Sequence, residues 1–197
     1  MEEKTLAQYL KDEINDSNVK GKSFDVFKKV ATKLMSEYAI KKGDDYYQMV
    51  EIEFYWYSHN HPDLSVYPRN SKVGNWYLHP SGVDITLESC VKNIDKLRQD
   101  WEFAKNKQEN EENYPKDCSY GGILIRTLRK FKPEDNDNQY NKKEENNYIN
   151  GPWKCCDKLF DYLPCNGKSE GIGKMLPEII HIEKEEMMPD LEKEMEK

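Results

Sequence analysis

Between Met49 and Trp56 the chain alternates strictly, with Val50, Ile52, Phe54 and Trp56 on one side and Met49, Glu51, Glu53 and Tyr55 on the other. A period of two predicts a strand over 46–57 with the first set on a core. Glu51, Glu53 and Tyr55 then share the opposite face. A strand this aromatic, followed at once by His59, Asn60, His61 and Asp63, makes a wall suited to hold a general base.

Helical spacing predicts helices over 6–14 and 24–40. The second carries the stripe Phe24, Phe27, Val30, Ala31, Leu34, Met35 and Tyr38, a start at Ser23 or Asp25, and a solvated face with Lys28, Lys29 and Lys33. Gly43-Asp44-Asp45 turns the chain into the strand, and a polar loop over 58–73 leaves it. Two short strands, 75–79 and 83–87, flank Pro80-Ser81-Gly82, and a helix follows over 91–104. The segment 121–128 reads as a buried strand with Arg126 near its exit. Pro152 suits the first position of a helix whose apolar positions are Trp153, Cys156, Leu159 and Phe160. The pattern predicts a single α+β domain over 1–182. It has N-terminal helices, a curved, mostly antiparallel sheet and a C-terminal helix, interrupted by polar inserts at 105–117 and 133–147. The second insert is low-complexity and too polar to bury a core, so it is expected to be disordered. Residues 183–197 form an acidic tail, either a solvated helix or disordered. Gly167, Gly171 and Gly173, with Lys168 and Lys174, match no phosphate-binding spacing and read as a linker.

Composition narrows the classes. The chain has 197 residues, 34% of them charged, and a net charge of −7. That excess lies in 183–197 and 133–145, so the remaining body is balanced and its charge does not exclude nucleic acid. Five cysteines form no Cys-x-x-Cys pair, and no apolar run approaches a membrane span. These features predict a cytoplasmic protein with reduced thiols and no membrane partner. Vicinal Cys155 and Cys156 read as one buried and one exposed thiol rather than a redox pair.

Three separated segments resemble the alkyladenine (3-methyladenine) DNA glycosylase family. Glu51-Ile52-Glu53-Phe54-Tyr55 is similar to its Glu-x-Glu-x-Tyr strand. Ile123-Leu124-Ile125-Arg126-Thr127-Leu128 is similar to its Leu-Leu-Arg-Ala-Leu strand. Gly151-Pro152-Trp153-Lys154-Cys155-Cys156-Asp157-Lys158-Leu159 is similar to its Gly-Pro-Ser-Lys-Leu helix start. The resemblance implies a DNA-repair hydrolase that removes damaged purines by base excision, with Glu53 activating water, Tyr55 stacking on the extruded base and Arg126 near the catalytic site. Tyr57, Trp76 and Tyr77 add flat surface for a base. Such an enzyme must take the base out of the stack before it can act. With water as nucleophile no lysine is needed, so the activity is monofunctional and requires neither metal nor cofactor.

The chain also departs from the family pattern. If Gly82 is the matching glycine, Ser81 stands where the family has an aromatic wedge, and Glu88 stands where it has an asparagine. Neither His59 nor His61 aligns without a gap on the family's pocket histidine. A serine cannot fill the space left by an extruded base, so weak duplex binding is expected, with single strands or free nucleosides preferred. His59, His61 and Asp63 also have the spacing of zinc ligands, but Leu64 stands where a further histidine is needed, and a plain loop fits better. The rival to the enzyme is a non-catalytic module that keeps the fold to bind a nucleotide or a protein segment. On either reading, Glu53, Arg126, Tyr55, His59, His61, Tyr77 and Ser81 are the candidate site residues.

Overall fold

The computed structural model describes residues 4–107, 114–132, 147–160 and 176–182. In chain order they form α1 (Leu6–Glu13), α2 (Asp16–Val19), α3 (Ser23–Glu37), β1 (Tyr38–Lys42), β2 (Asp45–Ser58), β3 (Trp76–His79) and β4 (Gly82–Thr86). α4 (Ile94–Lys107), β5 (Ser119–Phe131), β6 (Tyr148–Asn150), α5 (Pro152–Phe160) and β7 (Glu178–His181) follow. The strands order as β3-β4-β5-β2-β1-β7, with β6 also on β5. β1–β2, β1–β7, β4–β5 and β5–β6 all pair antiparallel, so the α+β class read from the periodicities holds.

The chain falls into two compact units. One comprises Met1–Val30, Glu53–Tyr77 and Asp84–Leu124; the other comprises Ala31–Ile52, Leu78–Val83 and Ile125–Lys197. In the first, Tyr57, Val66, Leu97 and Tyr120 form a core joined by the half-buried Tyr55, Leu64, Val91, Ile94 and Cys118. The rings of Tyr57 and Tyr120 stack 5.0 Å apart, and the Tyr57 hydroxyl donates to the Pro115 carbonyl at 2.7 Å. In the second, Ala39 and Ile182 are packed by Tyr46, Phe131 and Ile180.

Local rules explain three of the helix starts. The Thr5 hydroxyl accepts the Gln8 N–H, and Asn15 accepts the Asn18 N–H, as N-caps do. α4 begins at Ile94, three residues later than expected, because Asn93 caps it: its side-chain oxygen accepts the Lys96 N–H at 3.0 Å. The helix also runs through Lys107, into the segment expected to be loop.

Several expectations need correction. The helical stripe was expected to reach residue 40, yet Tyr38, Ala39 and Ile40 belong to β1 and are all buried. Three consecutive buried residues span about 200° of a helix, too wide for one face, whereas a strand paired on both edges buries both faces. Phe24 is 75% exposed in the first turn of α3, off the buried stripe. Likewise Trp153 is exposed, while Cys155, Cys156 and Leu159 make the underside of α5. Both vicinal thiols are therefore buried, not one. α2, β6 and β7 went unread because three or four residues carry no measurable period. The segments 133–146, 161–175 and 183–197, which hold most of the expected insert, the glycine linker and the acidic tail, lie outside the described residues. Among the described residues no helix is long and apolar enough to cross a membrane.

Candidate functional site

In the first unit, the last part of β2 presents Glu53 and Tyr55, both half-buried. Tyr55 packs on the Tyr57–Tyr120 core. Its backbone is pressed against β5: a Cβ built on Gly121 would lie 2.1 Å from the Tyr55 carbonyl oxygen, so only glycine fits there.

β2 ends in a tight turn closed by reciprocal 3.0 Å hydrogen bonds between the backbones of Ser58 and His61. His61 Nδ1 donates to the Trp56 carbonyl at 2.8 Å, and its ring meets Phe27 edge-on at 5.7 Å. Phe27 in turn stacks on Phe54 at 4.9 Å. Asp16 accepts the backbone N–H and side-chain amide of Asn60. Burial of Asp16, which disfavours its charge, is outweighed by such hydrogen bonds and by nearby His59, so its carboxyl sits below the ordinary value. His59 is exposed on this turn. Asp63 accepts both the Ser65 N–H, at 2.8 Å, and the Ser65 hydroxyl, at 2.6 Å. His61 and Asp63 are thus each tied into the loop by hydrogen bonds of their own. Among the described residues no three His, Cys, Asp or Glu side chains lie close enough to hold a metal ion.

Tyr77 lies under the guanidinium of Arg69, 4.1 Å from ring centre to Cζ. Arg69 is 6% exposed and pairs through Nη1 with Asp84 Oδ2 at 2.5 Å. Gly122 leaves room for this pair, since a Cβ there would lie 2.6 Å from Asp84 Oδ2 and 2.9 Å from Arg69 Nη1. Sequence reasoning passed over both charges. The signal was Asp84 itself, a carboxylate inside the apolar run 83–87, which demands a buried partner.

The same unit holds a cleft of about 420 Å³ beside the start of α4, lined by Lys92, Lys96, Leu97, Tyr114, Lys116 and Cys118 among others. Burial pushes the Cys118 thiol up to about 11. None of the expected site residues lines this cleft.

The second unit carries Ser81 and Arg126. Ser81 is exposed at the β3–β4 turn, where its N–H donates to His79 Nδ1 at 3.3 Å. Gly82 follows with φ +146°, a conformation that excludes most other residues. Arg126 projects from β5 toward the other carboxylate of the expected pair: its Nε lies 3.4 Å from Glu51 Oε1. The Thr127 hydroxyl donates to Glu51 Oε2 at 2.9 Å. The Gly151 N–H, just before α5, donates to the Arg126 carbonyl at 2.8 Å. Cys155 lies beneath, its Sγ donating to the Ile149 carbonyl at 3.3 Å. Burial, with the Glu51 charge nearby, pushes this thiol up to about 12, and burial raises Cys156 as well. Neither is a nucleophile at neutral pH.

No protein-family model, no curated protein and no solved structure matches this chain.

Proposed function

We propose that the protein is a monofunctional purine N-glycosylase-like hydrolase acting on alkylated or deaminated bases. The observation that carries this reading is the meeting of three segments far apart in sequence. Glu51 of the first is bonded to Arg126 and Thr127 of the second, and Gly151 of the third is bonded to the Arg126 carbonyl. The family resemblance gives the water-activating role to Glu53, two residues along β2, while Glu51 is bonded through both its oxygens. Water held by this carboxylate attacks the sugar carbon as the purine leaves with a proton or an existing positive charge. Within the unit that holds Glu53, Tyr55 and Tyr77 offer ring surface to the base, and His59 and His61 edge the turn beyond β2.

The test is release of hypoxanthine or 3-methyladenine from single-stranded oligonucleotides and free nucleosides. Glu53→Gln is expected to lower the rate by about 100-fold or more. Excision by Glu53→Gln at the wild-type rate would remove the assignment.

A second reading, a non-catalytic nucleotide-binding module, draws on the cleft beside α4. Lys92 and Lys116 line it beside Leu97 and Tyr114, together with Asp117 and a Lys96–Asp100 ion pair. Nucleotide binding that is lost in Lys92→Glu/Lys116→Glu, with no excision from any substrate, would favour it.

A further inference from the structure

The second half of β5, β6 and α5 are tied together. Thr127, Leu128 and Arg129 pair with Asn150, Ile149 and Tyr148, and α5 is anchored through the Gly151 and Cys155 bonds described above. The described residues here, 125–132 and 147–160, hold six basic side chains against a single acid, Asp157. The whole chain, by contrast, carries −7. The joining segment 133–146 brings five acids and two lysines and leaves the stretch 125–160 at +2.

Lys130 pairs with Asp45 at 2.5 Å, and Arg126 pairs with Glu51. Lys132, Lys154 and Lys158 are exposed and in no ion pair among the described residues, though Lys158 lies near enough to Asp45 to help hold its carboxyl below the ordinary value. Lys154 and Lys158 stand one turn apart on α5, on the same face. Trp153 beside them is 50% exposed, and Tyr148, the register partner of Arg129, is 41% exposed. Because Cys155, Cys156 and Leu159 bury the underside of α5, its outward face is held in place.

We infer that the β6–α5 face is a contact surface for single-stranded nucleic acid, with Trp153 and Tyr148 stacking on bases and Lys132, Lys154 and Lys158 meeting phosphates. Aromatic platforms set among lysines are what single strands need, because every base has a stackable face and every linkage a charge. An acidic peptide has no use for the rings. A membrane-docking helix needs a continuous apolar face, whereas α5 shows one tryptophan among Lys154, Asp157 and Lys158. The inference rests on the proposed function to the extent that the substrate is then a strand rather than a free nucleoside.

The experiment is fluorescence anisotropy of the full chain with dye-labelled oligothymidylate, which contains no purine and so cannot be a substrate. Trp153→Ala is expected to weaken binding about tenfold, and Trp153→Phe to restore most of it. Lys154→Gln/Lys158→Gln is expected to reduce the slope of log affinity against log salt by roughly 1.4, at about 0.7 per phosphate contact. Circular dichroism checks that each variant is folded. Absence of wild-type binding at low salt, or folded variants that bind like wild type, would overturn the inference. So would equal binding of anionic vesicles lost through the same substitutions. Excision from free nucleosides without oligothymidylate binding would sink this inference alone. Binding that depends on Trp153, without any excision, would sink the catalytic reading alone.

Discussion

Arg126 meets Glu51, the exposed carboxylate of the pair on β2, with Nε 3.4 Å from Oε1, while the neighbouring Thr127 hydroxyl takes Oε2. The expected pairing set Arg126 beside the chemistry and left Glu51 as the bystander. The geometry gives Glu51 a structural duty, linking β2 to β5, so substitutions at Glu51 and Glu53 test the two assignments against each other.

The Glu51 link is expected to be energetically small. Its side chain is 58% exposed and that of Arg126 is 40% exposed, and water screens such pairs. Glu51→Gln should cost less than about 1 kcal/mol in urea denaturation and leave excision within a few-fold of wild type. A loss as large as that of Glu53→Gln would exchange their roles.

Asp84 is the opposite case. It is 1% exposed, and removing it strands the Arg69 charge in the core. Asp84→Ala is expected to cost about 3–5 kcal/mol, and an apolar double replacement of Arg69 and Asp84 to recover much of that. A urea midpoint for Asp84→Ala close to wild type would show that water reaches the pair.

The two glycines of β5 should respond differently to a methyl group. Gly122→Ala meets Oδ2 and Cβ of Asp84 and Nη1 of Arg69 and must displace this buried pair, at about 3–5 kcal/mol. Gly121→Ala meets the Tyr55 backbone and should abolish soluble folded protein. Equal melting temperatures for the two variants would contradict this.

The buried thiols predict an alkaline limit. Burial raises Cys155 to about 12 and Cys118 to about 11 from an ordinary 9.0. The fold favours the neutral thiol, so this contribution is complete below about pH 9 and is lost as pH climbs toward those raised values. Stability should therefore fall between about pH 9 and 12. In native protein at pH 8, among the four described cysteines, iodoacetamide should modify exposed Cys90 first and Cys155 and Cys156 last. Rapid labelling of Cys155 would mean that α5 opens from β6.

Ser81 sits on an exposed turn with room for a larger side chain. If Gly82 matches the glycine behind a base-filling wedge, Ser81→Tyr should raise duplex affinity or excision relative to single strands at one fixed salt concentration. Nanomolar duplex binding by wild type would show that the wedge lies elsewhere.

Amphipathic periodicity and capping chemistry were enough to locate α1, α3, α4, α5, β2 and β5, because those signals are carried by residues a few positions apart. The three segments that meet around Glu51, Arg126 and Gly151 were singled out by the family resemblance rather than by periodicity. Tertiary structure alone decided what depends on distant partners. Tyr38–Lys42 became a strand because β2 and β7 pair with both its edges, overriding a helical spacing. Cys155 and Cys156 are both buried because α5 lies over Ile149 and Leu128. Arg126 chose Glu51, and Arg69 chose Asp84, through strand register and loop path. One residue of slip would turn each side chain to the other face, and no local pattern encodes that choice.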